Sequence, residues 1–252
     1  LTVKTNIALL FLFPLGLIFL CLSREKWRQG LFLLVPAHVS LIFASTSDFT
    51  NSVRHILPIF GFLIVLSSAG AIWFCRKFNG LRYGLVALLV FNGAAALRTA
   101  PNYLAFANDL WGGYENTHRI FISDMGQNMK LVSEYLSREN IQDCWIVTVV
   151  HPEMVRAVQP CRPMPSSMRI MISRDLIDPV PPVIEGTIVL TERDVPPLGG
   201  DEYLPITKSE PIAFIGGNTF VYRGRFEVPL AAAMSRVHRS GYFLRMNDVD
   251  QA

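Results

Sequence analysis

Carboxylates are scarce in the first part of this 252-residue chain. Up to Leu97 the acidic residues are Glu25 and Asp48, against eight basic ones, whereas the remainder holds 18 acidic and 15 basic residues. Clusters of lysine and arginine with interleaved aromatic residues are lacking throughout, so the charge pattern of a nucleic-acid-binding protein is excluded. The sequence therefore predicts a basic, apolar part followed by a mildly acidic, soluble part, with no nucleic-acid partner.

Histidine and cysteine are too few and too scattered to predict a metal site. The five histidines stand at positions 38, 55, 118, 151 and 238, and the four cysteines at 21, 75, 144 and 161. None of these positions shows the paired spacing that structural zinc sites use. The sequence therefore names no metal-ligating residues.

Long apolar runs dominate the first part. About 20 predominantly apolar residues span a bilayer. Four segments approach this length, at about 5–22, 30–46, 56–75 and 81–97. Prolines occur in three of them, and a membrane bundle tolerates proline inside helices because neighbouring helices satisfy the freed backbone groups. Four such runs in 97 residues predict a transmembrane bundle rather than the core of a soluble protein.

Basic residues between the apolar segments predict which way each loop faces. The loops 23–30 and 75–82 carry three basic residues each, and short loops rich in lysine and arginine remain in the cytoplasm. The loop 46–55 and the whole soluble part then face outward. Cys144 and Cys161 lie in this outward part, where oxidising conditions permit a disulfide between them but do not require one.

The soluble part shows the alternation of apolar runs and turn residues that is typical of a small α/β or α+β domain. We predict strands at 119–123, 144–150, 169–173 and 186–191, a helix from about Gly126 to Glu139, and two strands in 211–224 around the turn Gly216-Gly217-Asn218. The predicted helix has Met129, Val132, Tyr135 and Leu136 on its inner face. The proline-rich stretches CRPMPSS and DPVPPV are predicted to be loops.

The predicted fold is thus an α-helical transmembrane bundle followed by a small extracytoplasmic α/β (or α+β) domain. Its predicted boundaries are 1–97 for the helices, 98–118 for a juxtamembrane connection, 119–227 for the domain and 228–252 for a C-terminal tail. In the tail we expect a short amphipathic helix that lies on the membrane surface or frays. Gly112-Gly113 is interpreted as a flexible exit from the membrane boundary. Because the chain opens on Leu1 and runs directly into an apolar segment, we expect it to be the C-terminal part of a longer protein.

Short motifs occur in a distinctive order along the chain. They are VKT before the first apolar segment, RHILPI at the end of the outward loop, NYLAFANDLWGG, RIFISDMGQNMKLVSEYL and PIAFIGGNTFVYR. This order resembles the C-terminal half of bacterial membrane glycosyltransferases similar to the dolichyl-phosphate-mannose–protein mannosyltransferase family, in the multi-spanning glycosyltransferase C superfamily. Such proteins carry KTP, RYLLP, YFNELAGG and SNLDWGQDL in sequence. Two positions depart from the pattern, since Asn6 replaces the proline after Lys4-Thr5 and Met125 replaces the tryptophan of Asp-Trp-Gly-Gln.

The resemblance implies an integral protein, in the bacterial inner membrane, that transfers a sugar from a polyprenyl phosphate to an outward-facing acceptor. The lipid-linked sugar phosphate is the donor substrate, and the acceptor is a glycan, lipid or protein. A carboxylate would act as general base on the acceptor hydroxyl. The resemblance places that carboxylate in an outward loop upstream of Leu1, so no catalytic residue is expected in these 252 residues and they are expected to be inactive alone.

Four residues are candidates for binding the two substrates. Arg54 stands at the outer end of a membrane segment and is suited to hold the donor phosphate bidentately, with His55 beside it. The alternative is that both are interfacial, with Arg54 snorkelling to the membrane surface. Asp124 and Gln127 offer a carboxylate and an amide to the hydroxyl groups of an acceptor sugar, or else Asp124 caps the helix that follows.

A non-catalytic function is the alternative to glycosyl transfer. In that case the chain is a membrane-anchored extracytoplasmic domain that binds glycans or proteins. A transporter or channel is disfavoured, because charged residues within the apolar segments are sparse.

Overall fold

The structure, a computed structural model, describes residues 2–46, 57–100, 103–113, 116–117, 126–165, 176–191 and 200–246. It consists of two compact units. The first comprises Leu1–Ala100 with Phe106–Gly113, and the second comprises Pro101–Ala105 with Tyr114–Ala252. The segment predicted as a juxtamembrane connection is therefore shared between the units.

The first unit is helical. In its described residues it contains α1 (Ile7–Leu22), α2 (Trp27–Thr46), α3 (Leu57–Lys77) and α4 (Leu81–Thr99). Among the residues described, α2, α3 and α4 are long and apolar enough to cross a membrane, whereas α1 is apolar but has only 16 residues. Pro14 and Pro36 lie inside α1 and α2. The helical part of the predicted fold is confirmed, and its three long helices are compatible with an integral membrane protein.

Helices α1 and α3 approach each other so closely that only glycine fits at the crossing. A Cβ atom on Gly70 would lie 2.5 Å from the Cα atom of Gly16, and one on Gly16 would lie 2.6 Å from the carbonyl oxygen of Leu66. Both glycines are buried, as is Ser67 on the same face of α3. Small residues at such a crossing let two backbones pack directly. In lipid the hydrophobic effect does not drive helices together, so this close packing is what stabilises their association.

The second unit is a mixed sheet with helices on both faces. Its described elements are α5 (Met129–Arg138), β1 (Cys144–Val147), α6 (Pro152–Val158), β2 (Cys161–Pro163), β3 (Val183–Thr191), α7 (Leu204–Thr207), β4 (Ala213–Ile215), β5 (Thr219–Glu227) and α8 (Pro229–Arg245). The five strands described are ordered β2-β1-β3-β5-β4. The first three are parallel, and β5 pairs antiparallel with both β3 and β4. The predicted small α/β domain is confirmed in this form.

Side chains alternate across the sheet and build one core on each face. Cys144 and Ile146 of β1 pack with α5 and α6 on one face, whereas Trp145 and Val147 pack with α7 and α8 on the other. Val189 of β3 belongs to the first core, and its two strand neighbours belong to the second. The period of two in a strand produces this division, so the near-continuous apolar sequences of β1 and β3 reflect burial on both faces.

The predicted elements of the domain appear with shifted ends. The helix begins at Met129 rather than near Gly126, and Val132 and Leu136 are buried on its inner face. The strand predicted at 144–150 ends at Val147, and the hairpin around Gly216-Gly217-Asn218 is confirmed. The strands predicted at 119–123 and 169–173 lie outside the described residues.

One prediction for this domain was wrong. The stretch CRPMPSS was predicted to be a loop, but its first three residues form β2. Proline fits there because β2 is at the edge of the sheet formed by the described strands, where one missing backbone donor is tolerated. The helix expected in the segment from 228 is present as α8, which has 17 residues and buries Ala231, Ala232, Ser235, His238 and Phe243. The backbone N–H of Val180 donates to Ser235 Oγ at 3.0 Å, which ties α8 to the domain.

Candidate functional site

Two motifs that lie about 100 residues apart meet at one end of the helical unit. The backbone N–H of Asn108, in the NDLWGG motif, donates to the carbonyl oxygen of Val3 at 3.0 Å. The Asn108 side-chain amide donates to the carbonyl oxygen of Thr5 at 2.8 Å. Asn108 and Thr5 are both buried. The start of α1 and the loop after α4 therefore form one hydrogen-bonded structure.

Asn108 also organises its own loop. Its Oδ1 accepts from the backbone N–H of Leu110 at 3.1 Å and caps the single turn Asp109–Trp111. Gly112 ends that turn at φ 88°, and Gly113 follows at φ 71° while donating its N–H to the carbonyl oxygen of Asn108. Side chains other than glycine rarely adopt such positive φ values. The interpretation of Gly112-Gly113 as a flexible exit was wrong, because the pair closes an ordered turn.

The start of α1 shows what Asn6 does at the position where the resembled pattern has a proline. Asn6 is the N-cap of α1, and its Oδ1 accepts from the backbone N–H of Leu9 at 2.7 Å. Asparagine is among the best N-cap residues, and proline is favoured at the first position of a helix. Asn6 therefore promotes the start of α1 at Ile7.

A cavity opens between α1, α2 and α3 at the same end of the helical unit. It has a volume of about 270 Å³, and its lining includes Thr5, Leu9, Phe13, His38, Leu41 and Leu63. The lining is apolar except for Thr5 and His38. His38 Nδ1 donates to the carbonyl oxygen of Leu34 at 2.8 Å, since a carbonyl can only accept. That bond leaves Nε2 as the nitrogen available for another partner. The cavity suits a hydrocarbon chain with one polar contact.

A second polar cluster lies in the other unit, at the edge where β1 and β3 end. The side-chain amide of Asn128, just before α5, donates to the carbonyl oxygen of Ile215 at 3.3 Å and to Thr219 Oγ1 at 3.2 Å. It also donates to Asn218 Oδ1. A Cβ atom on Gly216, at φ 60°, would overlap the Asn128 side chain. Asn128 therefore anchors the β4–β5 turn to the start of α5, beside Gln127.

Of the four substrate-binding residues predicted from the sequence, the structure describes one. Arg54, His55 and Asp124 lie outside the described residues. Gln127 is partly buried in the turn before α5, and it lies next to Asn128, which sequence reasoning missed. Its role was not visible because its partners stand about 90 residues further along the chain. A glycine-glycine-asparagine turn signals a hairpin but does not indicate what the hairpin packs against.

Cys144 and Cys161 form a disulfide between the neighbouring strands β1 and β2. The two residues are also direct partners in the parallel pairing of these strands. Cys21 and Cys75 are free thiols. The sequence permitted this disulfide but did not require it. The pairing of β1 with β2 brings the two cysteines together, and β2 was not predicted from the sequence.

Ionisable groups do not gather into a metal-binding cluster in the part of the chain that the structure describes. Burial raises the pKa of the Tyr222 phenol above its usual value, so this hydroxyl stays protonated in the sheet core.

Comparison with known proteins adds no further constraint. No protein-family model matches the chain, and neither a curated protein nor a solved structure does.

Asn108 allows a direct test of the loop that joins the two motifs. We expect Asn108→Asp to weaken the loop by about 1–3 kcal/mol, because a carboxylate oxygen would replace the amide donor that faces the Thr5 carbonyl. Chymotrypsin cleavage after Trp111, measured in detergent under native conditions, should then be about tenfold faster or more. The matched control is Asp109→Asn, the reverse exchange at the adjacent exposed residue. Equal cleavage rates in both variants would contradict the assigned bonds.

Proposed function

We propose that this chain is the C-terminal part of an integral membrane glycosyltransferase that transfers a sugar from a polyprenyl phosphate to an extracytoplasmic acceptor. The observation that carries the proposal is the meeting of the start of α1 with the NDLWGG loop. Both segments belong to the motif order that resembles the mannosyltransferase-like family. The apolar cavity between α1, α2 and α3 begins at the same place and contacts Thr5.

Two independent features support an orientation with this end facing outward. Basic residues cluster where α1 is followed by α2 and where α3 is followed by α4, in the connections and the adjoining helix ends. They are Arg24, Lys26 and Arg28 at the first place and Arg76, Lys77 and Arg82 at the second, a bias that favours the cytoplasmic side. The disulfide Cys144–Cys161 favours an oxidising compartment for the second unit. On this orientation the cavity and the NDLWGG loop lie at the outer side, where a lipid-linked sugar is used.

The roles follow from the chemistry of the residues. The donor's hydrocarbon chain enters the apolar cavity, and Arg54 with His55 holds its phosphate. Gln127 and Asp124 contact the acceptor, and Asn128 holds the neighbouring turn in place. The general base is assigned to an acidic residue in an outward loop of the protein that precedes this stretch.

Filling the cavity tests the proposal. Membranes that contain the product of the complete reading frame are incubated with a panel of polyprenyl phosphates carrying tritiated hexoses or pentoses. We expect radioactivity to move from the lipid extract into an acceptor fraction. Leu63→Trp should reduce this transfer about tenfold or more, because an indole ring would occupy space that the lipid needs. Leu63 lines the cavity.

The matched control is Leu89→Trp, which places the same ring at an exposed position of α4. It should transfer sugar at the unsubstituted rate. Equal loss in both variants would show that the cavity has no specific role. No transfer from any donor, combined with retention of a glycan or protein ligand, would favour the non-catalytic binding domain instead.

A further inference from the structure

Helix α8 carries an apolar stripe on the face that points away from its domain. The side chains of Leu230, Val237 and Leu244 are 48%, 65% and 57% exposed, respectively. They are spaced seven residues apart, which places them on one side of a helix, and Ala233 is exposed on the same side. At 1.5 Å per residue the stripe runs about 21 Å along α8. The exposed apolar surface therefore consists of several side chains along the helix and is not one isolated residue.

The opposite face of α8 fixes the helix to the domain. Ala231, Ser235 and Phe243 are buried there, and Ser235 Oγ both accepts from Val180 and donates to the carbonyl oxygen of Ala232 at 2.8 Å. The exposed stripe is therefore not a core surface from which the helix has detached. The helix has two apolar faces, and only one is used by the described fold.

Charge along α8 has a single sign. The helix contains Arg236, Arg239 and Arg245 and no aspartate or glutamate. Arg236 precedes Val237 and Arg245 follows Leu244, so one exposed arginine stands about 100° to each side of the stripe. Asp248 and Asp250 come after the helix, outside the described residues. The stripe thus has cationic margins that complement an anionic surface.

We infer that α8 is an interfacial helix whose Leu230–Val237–Leu244 stripe lies in the surface of an anionic phospholipid bilayer. Apolar side chains flanked by arginines are the arrangement with which helices lie in the headgroup region, and arginine stems can extend along the lipid while their charge stays in water. The described part of the chain contains three helices long and apolar enough to cross a membrane. Only 29 residues separate the end of α4 from the start of α5, so the domain remains within reach of the bilayer.

The inference rests on membrane insertion of the first unit and not on sugar transfer. It can therefore fail or succeed independently of the assay with polyprenyl phosphates. It assigns the domain a second attachment to the bilayer, which fixes one of its faces toward the lipid.

Spin-label accessibility in vesicles tests this contact. The full chain, with Cys21 and Cys75 replaced by alanine, receives one label at Val237→Cys, at Leu244→Cys or at Lys130→Cys. Lys130 is the matched control, because it is highly exposed on α5, which covers the opposite face of the sheet. In phosphatidylcholine vesicles with phosphatidylglycerol, labels on α8 should collide with oxygen more than with a water-soluble nickel chelate. The control label should show the reverse.

Further variants separate lipid contact from the alternatives. In vesicles of phosphatidylcholine alone, or with Arg236→Gln and Arg245→Gln together, the oxygen preference on α8 should fall. Nickel accessibility equal to that of the control would overturn the inference, since the stripe would then face water. Exclusion of both reagents would also overturn it, because protein would then cover the stripe. Loss of the protein from vesicles on alkaline washing would overturn its premise of a membrane tether.

Discussion

Replacing Gly70 by leucine is expected to destabilise the helical unit by about 3 kcal/mol, at the upper end of the usual penalty for inserting atoms into a packed interface. The first added atom would stand 2.5 Å from the Cα and N atoms of Gly16 on α1. Those are backbone atoms, so no side-chain rotation relieves the overlap, and α1 must move away from α3. Separation of the two helices forfeits the direct backbone packing on which association in lipid depends.

A second glycine on the same helix provides the control. Gly61 also lies in α3, but a Cβ atom there would meet nothing within 4 Å. Gly61→Leu makes the same chemical change, with the same gain in helix propensity, and should leave stability unchanged or slightly higher. Titration with sodium dodecyl sulfate, followed by circular dichroism, gives the free energy of unfolding for both variants. Equal stability would mean that α1 and α3 do not cross at Gly16 and Gly70.

The same change should affect the proposed site. The cavity is bounded by α1 and α3, through Leu9, Phe13 and Leu63 among others. If α1 moves, the cavity changes shape, so Gly70→Leu should also reduce sugar transfer even though Gly70 itself does not line the cavity. If Gly70→Leu lost stability but kept full sugar transfer, the α1–α3 crossing would not be required for the proposed donor site.

Local sequence patterns were enough to predict the regular elements. Hydropathy located the four helices of the first unit within a few residues, because a run of apolar residues is a property of the segment itself. The hairpin β4–β5 was predictable for the same reason, since Gly216-Gly217 permits the positive φ values that the turn requires. The strand β2 was missed because Pro163 reads locally as a loop signal.

Contacts between distant segments were not predictable from these patterns. The bond from Asn108 to Thr5 and the anchor of Asn128 on the β4–β5 turn each join residues about 90–100 positions apart. An asparagine in a polar sequence gives no sign that folding will bury it. The packing of helix α8 against the domain was not predicted, for a different reason. Because it is apolar on two faces, its sequence does not show the single stripe that identifies a packed helix.

Loss of the disulfide Cys144–Cys161 is expected to destabilise the second unit by about 3 kcal/mol. The bridge closes a loop of 17 residues, and the chain-entropy model gives this magnitude for a loop of that length. Both cysteines are buried in the core between the sheet, α5 and α6, so the double variant Cys144→Ala/Cys161→Ala avoids leaving polar thiols there. Hydrogen exchange of β1 and β3 under native conditions measures the loss, and reduction of the unsubstituted protein should reproduce it.

The disulfide Cys144–Cys161 also allows a test of orientation, because the other two cysteines, Cys21 and Cys75, are free thiols and provide a reference count. Whole cells are lysed in dodecyl sulfate with a maleimide polymer that shifts the protein once for each free thiol. Because Cys21 and Cys75 are unbridged, the protein should acquire two labels without reductant and four after reduction. Two labels mean that the second unit has met an oxidising compartment, as the outward orientation requires. Four labels before reduction would place that unit in the cytoplasm and reverse the orientation on which the lipid-linked donor depends. The orientation predicted from the basic residues of the loops would then be wrong. The result would favour the non-catalytic binding domain.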